Sequence, residues 1–354
     1  MPKHLTMLIL TALMLFTLRP AYSGLSLPQE EGRYFATSGI CAMCHTGLQD
    51  EAGTDVSIDS FWRSTLMANS ARDPYWQATV RSEVLIHPQL QAIIEDKCAT
   101  CHMPMARFTA YQQGQKGKIL DQGFLDPKNA LHALATDGVS CTVCHQIRPD
   151  NLGDATSFSG KFIIDAQAPA GERTLFGPYA IAPEQATLMQ SASGFLPAQG
   201  LHIRKSALCA TCHTLYTPTL DKDGNIVGAF PEQTPYLEWR QSVYAKSQTC
   251  QGCHMPHAQG GVQISLTGGQ PRQPFSKHVF VGGNAYMLKI LKAFGDELGI
   301  TATGEQFEAT LTRTLDQLQK RTATLSIANL SLSPSTLTVD VVVRSQVGHK
   351  FPTG

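Results

Sequence analysis

The apolar pattern divides the chain at about residue 284. Beyond that point it is regular: Met287, Ile290, Leu291, Phe294 and Leu298 fall on one helical face, and Phe307, Leu311, Leu315 and Leu318 on a second. Residues 325–332 and 337–344 then read as strands about a Pro334-Ser335 turn. In the second of these, Leu337, Val339, Val341 and Val343 alternate with Thr338, Asp340 and Arg344 until Val342 breaks the alternation. Two strands alone make a marginal sheet, so the pattern predicts a β-rich domain that begins near 323 and continues past residue 354. Before residue 284 the periodicity is weak. Asp59 can cap a helix over 60–70, residues 77–97 carry a broken apolar face, and glycine and proline are plentiful. Asp221-Lys-Asp-Gly-Asn225 has part of the look of a calcium loop but lacks its distal glutamate, and Asp-Gly reads as a hairpin turn.

The first segment differs from both. Lys3 precedes an apolar run over 5–18, Arg19-Pro20 interrupts its end, and Ala21-Tyr22-Ser23 is a small-x-small cleavage site. This predicts a signal peptide cut after about Ser23 and an exported protein, periplasmic or extracellular. No later stretch approaches the roughly 18 apolar residues of a transmembrane helix, so no span is expected after cleavage. Hydrophobic residues make up 42% and charged residues 16% of the chain, with formal net charge +0. A packed core is feasible, and a nucleic-acid partner is disfavoured.

The cysteines carry the chemistry. All 10 fall into five copies of C-x-x-C-H: Cys41 and Cys44 with His45, Cys98 and Cys101 with His102, Cys141 and Cys144 with His145, Cys209 and Cys212 with His213, and Cys250 and Cys253 with His254. Zinc sites use four ligands, and five pairs do not divide into four-cysteine sites; nor does zinc require a histidine after each second cysteine. A thiol–disulfide device needs one such pair, not five. Covalent haem c accounts for every position. The two thiols form thioethers to the porphyrin vinyl groups, and the next histidine becomes the proximal iron ligand. Five haem c groups are therefore expected.

Each iron has a second axial position. Histidine there gives a closed low-spin carrier, methionine raises the potential, and a vacancy admits substrate. Setting aside His4 in the leader, six histidines compete for five positions: His87, His132, His202, His257, His278 and His349. His132, His202 and His278 lie in segments with ordered surroundings and are the leading candidates. His257 stands so close to His254 that it would serve a neighbouring haem. Met67 is the rival methionine ligand. Met103 and Met255 each directly follow a proximal histidine, and packing suits them better.

The first cysteines of the motifs stand at 41, 98, 141, 209 and 250, too irregular for a solenoid. The chain is thus expected to comprise a signal peptide (1–23), a pentahaem cytochrome c domain (24–283), a helical segment (284–322) and the start of a β-domain (323–354). Its fold class is mainly α and irregular, built around the haems. The motifs, with the blocks DGVSCTVCH, LCATCHTLYTP, HVFVGGN and GHKFPTG, resemble the bacterial multihaem cytochromes c. Within these, the chain is similar to the tetrahaem cytochrome c of nitrification and, more distantly, to hydroxylamine oxidoreductase and pentahaem nitrite reductase. The likeness spans about residues 33–354. It implies electron transport with redox proteins or quinol-linked donors as partners, or reduction or oxidation of a small nitrogen or sulfur oxyanion at one open haem. The chain has no C-x-x-C-K motif for a lysine-ligated catalytic haem and no sign of a tyrosine cross-link.

Overall fold

A computed structural model describes residues 26–352; the leader read as a signal peptide lies outside them. The elements are short helices and three two-stranded sheets, so the architecture is more mixed than the mainly α arrangement expected from sequence. Arg173–Gly177 pairs in parallel with Phe195–Gln199, with the helix Pro183–Ser193 crossing between them. Leu215–Leu220 pairs antiparallel with Ile226–Gln233 around the Asp221–Asn225 turn. There the Asp221 carboxylate accepts from the Asp223 and Asn225 amides at 2.9 and 2.8 Å, which satisfies it as a turn-former. Ala323–Leu332 and Leu337–Ser345 form the third pair, the strands the alternation predicts.

Two helix expectations need correction. The helix near 60–70 is only Ile58–Trp62, and Asp59 does not cap it but pairs with Arg63 at 2.8 Å. The 77–97 segment is two helices, Pro74–Ile86 and Gln91–His102, because Pro88 has no amide to continue the first. The first is capped by Asp73, whose carboxylate accepts from the Tyr75 and Trp76 amides. The helices Ala285–Ala293 and Gly304–Lys320 form as predicted, the second with a Thr303–Gln306 capping box. Its buried face runs through Phe307, Thr310 and Thr314 rather than along the leucines, because Thr310 meets the Ser64 hydroxyl at 2.7 Å.

The core is a set of separate clusters. The largest gathers Phe35, Met103, Met105, Ile119 and Val143. Glu95, buried within it, accepts from the Ile119 and Leu120 amides and so ties loop 115–125 to the helix that carries the second motif. In DGVSC, Gly138 has φ +65°, and a Cβ there would lie 2.5 Å from the Ala68 carbonyl oxygen. Only glycine allows that approach, which lets the Val139 amide reach the Met67 carbonyl at 3.0 Å. Gly138→Ala is expected to destabilise the protein by about 2 kcal/mol or more, because strain and backbone overlap add; thermal unfolding measures it.

Candidate functional site

Each C-x-x-C-H sits on one helical turn or at a helix end: Ser38–Ala42, Gln91–His102, Cys141–Cys144, Ser206–Ala210 and Cys250–His254. All ten cysteines are free. Burial pushes the Cys98 and Cys144 thiols up to about 11, which keeps them protonated and slow to oxidise.

Four of the five motif histidines turn Nδ1 onto a backbone carbonyl. His45 meets Ile264 at 2.5 Å, His102 meets Ser70 at 3.0 Å, His145 meets Phe176 at 2.7 Å and His254 meets Val281 at 2.5 Å. A carbonyl requires Nδ1 to carry the proton, which leaves the Nε2 lone pair unprotonated and free. Burial depresses the basicity of all five motif histidines, His213 included, so each ring is neutral. Trp76 stacks on the His102 ring at 4.3 Å and 4°, which fixes its plane.

Two of these rings face a second histidine. His145 and His278 have centroids 6.5 Å apart and planes within 19°. His254 and His349 are 6.2 Å apart and within 10°. The facing rings also hold Nδ1 on a carbonyl, His278 on Ser276 at 3.1 Å and His349 on Lys350 at 2.8 Å. Two imidazoles on opposite sides of one metal atom have centroids about 6 Å apart, given metal–nitrogen bonds of about 2 Å and about 1 Å from each nitrogen to its ring centre. Desolvation, with His145 nearby, lowers the His278 pKa to about 3.

The other candidates divide. His132 is half-buried, with Nδ1 2.9 Å from the Phe124 carbonyl, so its Nε2 is free. His202 is buried against Phe176, but there Nε2 meets the Ile147 carbonyl at 2.8 Å, and the ring has only Nδ1 to offer. His87 and His257 are exposed, the first at the end of the Pro74–Ile86 helix and the second on a bridge to Ser276. Among the described residues no group of three or more His, Cys, Asp or Glu converges to hold a bare metal ion. A porphyrin brings four nitrogens of its own and asks the protein for only one or two axial ligands, so it would need no such group.

The motifs meet out of sequence order. The Cys41 and Cys141 side chains adjoin, as do those of Cys101 with Cys212 and Cys209 with Cys250. Independent contacts hold each junction. Thr142 donates to the Ala36 carbonyl at 2.8 Å, and the Cys250 amide donates to the Ser206 hydroxyl at 3.0 Å. Between the second and fourth motifs, the Gly160 amide donates to Thr211 at 2.7 Å, while its Cα side faces Thr100 and Cys101. The first and third motifs also share Asp137. Its carboxylate accepts from the Ser38 amide at 2.8 Å and the Ser38 hydroxyl at 2.6 Å, and it is 2% exposed. Burial raises its pKa to about 6, against the pull of Ser38 and Arg72.

Sequence reasoning had no means of finding three of these features. They are the carbonyls that hold Nδ1, Asp137 as a bridge between motifs, and the contact between HVFVGGN and GHKFPTG. In that contact the Phe351 ring lies 3.2 Å from where a Gly283 Cβ would stand.

No family model, curated protein or solved structure matches the chain.

Proposed function

We propose that the chain is an exported pentahaem c-type cytochrome that passes electrons through five covalently attached haems between redox partner proteins or quinol-linked donors. The observation that carries this reading is the two pairs of facing histidines, each ring with Nδ1 on a carbonyl and each pair including a motif histidine. Cys41, Cys44, Cys98, Cys101, Cys141, Cys144, Cys209, Cys212, Cys250 and Cys253 would form the thioethers, and the histidine after each pair would be the proximal ligand. When bound, haem iron supplies a one-electron store between ferric and ferrous states. The protein's part is to hold neutral imidazoles at fixed orientation, to bury them and to bring the motifs together. His278 serves the third motif and His349 the fifth. His132, with a free Nε2, is next in line for one of the remaining irons.

The motif contacts imply a branched relay. The first motif adjoins the third, while the fourth adjoins both the second and the fifth. Cys144 of the third motif lies in the neighbourhood of Cys209 and Cys212, which links the two groups. Among the described residues no helix is long and apolar enough to cross a membrane.

Haem counting and electron paramagnetic resonance of the oxidised protein test this reading. Five haems per chain with low-spin signals are the expected result. Fewer than five haems refutes the motif assignment. A high-spin signal that shifts with nitrite, hydroxylamine or tetrathionate would instead favour an oxidoreductase with an open haem.

A further inference from the structure

We propose that Arg313 is a carboxylate anchor, pairing with a propionate of the haem attached at Cys41 and Cys44. This rests on the pentahaem reading and gives a role to a residue far outside the motifs.

Arg313 lies on the Gly304–Lys320 helix, where that helix meets Ile58–Trp62. Its guanidinium stands 5.1 Å above the Phe61 ring, and one terminal nitrogen donates to the Thr310 hydroxyl at 2.8 Å. Its Nε is buried with no hydrogen-bond partner. Burial lowers its pKa, and among the described residues no carboxylate draws it back. The nearby acids are engaged elsewhere. Asp59 pairs with Arg63 at 2.8 Å, and Asp316 pairs with Lys320 and Arg321. Arg63 Nε and Asp59 Oδ1 are also buried without partners, and their charges offset each other. The junction therefore holds two guanidiniums and one carboxylate. A buried charge left unpaired is costly, and a second carboxylate is the group whose geometry matches the planar guanidinium fork.

Other buried arginines do not need such a group. Arg173, 2% exposed, gives its nitrogens to the Arg33, Asp165 and Ala168 carbonyls, and Arg107 has Asp96 at 3.0 Å.

Phe61 connects Arg313 to the first motif. It packs in the cluster of Leu48, Val56, Val262 and Phe275, together with Ile58 and Ile264. Ile264 offers the carbonyl that meets His45 Nδ1, and the Ile58 amide donates to the His45 carbonyl at 3.2 Å. One wall of side chains thus joins Arg313 to the first proximal histidine. Haem carries two propionates, so the haem of this motif would bring carboxylates to this wall. Beside Arg313 a propionate stays ionised, and the arginine offsets its field at the iron.

The test is a redox titration of all the haems in the full-length chain, with haem content counted, in wild type, Arg313→Gln and Arg313→Lys. Attachment does not involve Arg313, so five haems are expected in each. In Arg313→Gln one of the five potentials should fall at alkaline pH, where the unpaired propionate is anionic and favours the ferric state. It should return towards wild type as the pH is lowered and the propionate takes a proton. Arg313→Lys keeps the charge and should show a smaller fall. In the reduced wild type, nuclear Overhauser contacts should join the propionate methylenes of one haem to the Phe61 ring, and the thioethers of that haem to Cys41 and Cys44. Contacts to another motif's cysteines overturn the assignment. Five unchanged potentials, with or without a loss of thermal stability, overturn the anchor. Inorganic phosphate should change no wild-type potential; a phosphate effect that Arg313→Gln abolishes would give the site to a free anion and overturn the propionate. If Arg313→Gln loses haem, Arg313→Lys decides on the same readout. Fewer than five haems in wild type refutes the pentahaem reading instead.

Discussion

On the pentahaem reading proposed above, replacing His278 with alanine should leave five haems per chain and turn one low-spin centre high-spin. The motif cysteines are untouched by the change, so attachment survives. The ring that faces His145 at 6.5 Å is lost, and with it what would be one of two strong-field axial nitrogens. His145 itself stays in place through the Phe176 carbonyl. Electron paramagnetic resonance reads the change, and added imidazole should reverse it by occupying the space left behind. An unchanged spectrum would show that His278 and His145 do not share an iron. Because the His278 segment is buried, carbon monoxide binding to wild type at this site is not expected.

Asp137 offers the second large effect. Asp137→Leu leaves the Ser38 amide and hydroxyl buried without their acceptor and cuts the tie between the first and third motifs. The expected loss is about 3–5 kcal/mol, with disturbed haem content at both motifs. Asp137→Asn keeps an acceptor oxygen and should cost about 1–2 kcal/mol at pH 7. The pH dependence has a definite sign. Burial raises the folded-state pKa to about 6, above the ordinary carboxyl value near 4. Between those values the folded state holds more protons than the unfolded state, so this residue's contribution falls as pH rises from about 4 to 6 and is flat above that. Two units correspond to about 3 kcal/mol. Denaturant titrations of wild type and Asp137→Asn across this range should show the wild-type advantage shrinking as pH rises; a constant difference would mean that the carboxyl titrates normally.

Local sequence signals were legible where the chain obeys a short-range rule. The helices Ala285–Ala293 and Gly304–Lys320 and the strands of the last hairpin follow from period alone. The parallel pair of Arg173–Gly177 with Phe195–Gln199 did not, because a five-residue strand carries too few alternations to stand out. Around the motifs the helices are a turn or so long, and tertiary contacts hold them rather than propensity.

Among the distal histidines, sequence ranked His132, His202 and His278 ahead of His87, His257 and His349, and the structure reorders them. His202 and His278 looked equivalent as neighbours of ordered segments. The structure separates them by which nitrogen faces a carbonyl: Nε2 for His202, Nδ1 for His278. His349, a weaker candidate on sequence, faces His254 at 6.2 Å.

The five C-x-x-C-H motifs, and with them the expectation of five haems, come from the sequence by itself, because thioether attachment and proximal ligation are confined to five consecutive residues. Which histidine answers which motif, and which motifs adjoin, only the tertiary structure decides. Those relations join positions as far apart as Ser38 and Asp137, or His254 and His349, and depend on backbone carbonyls that every residue possesses and no sequence pattern marks.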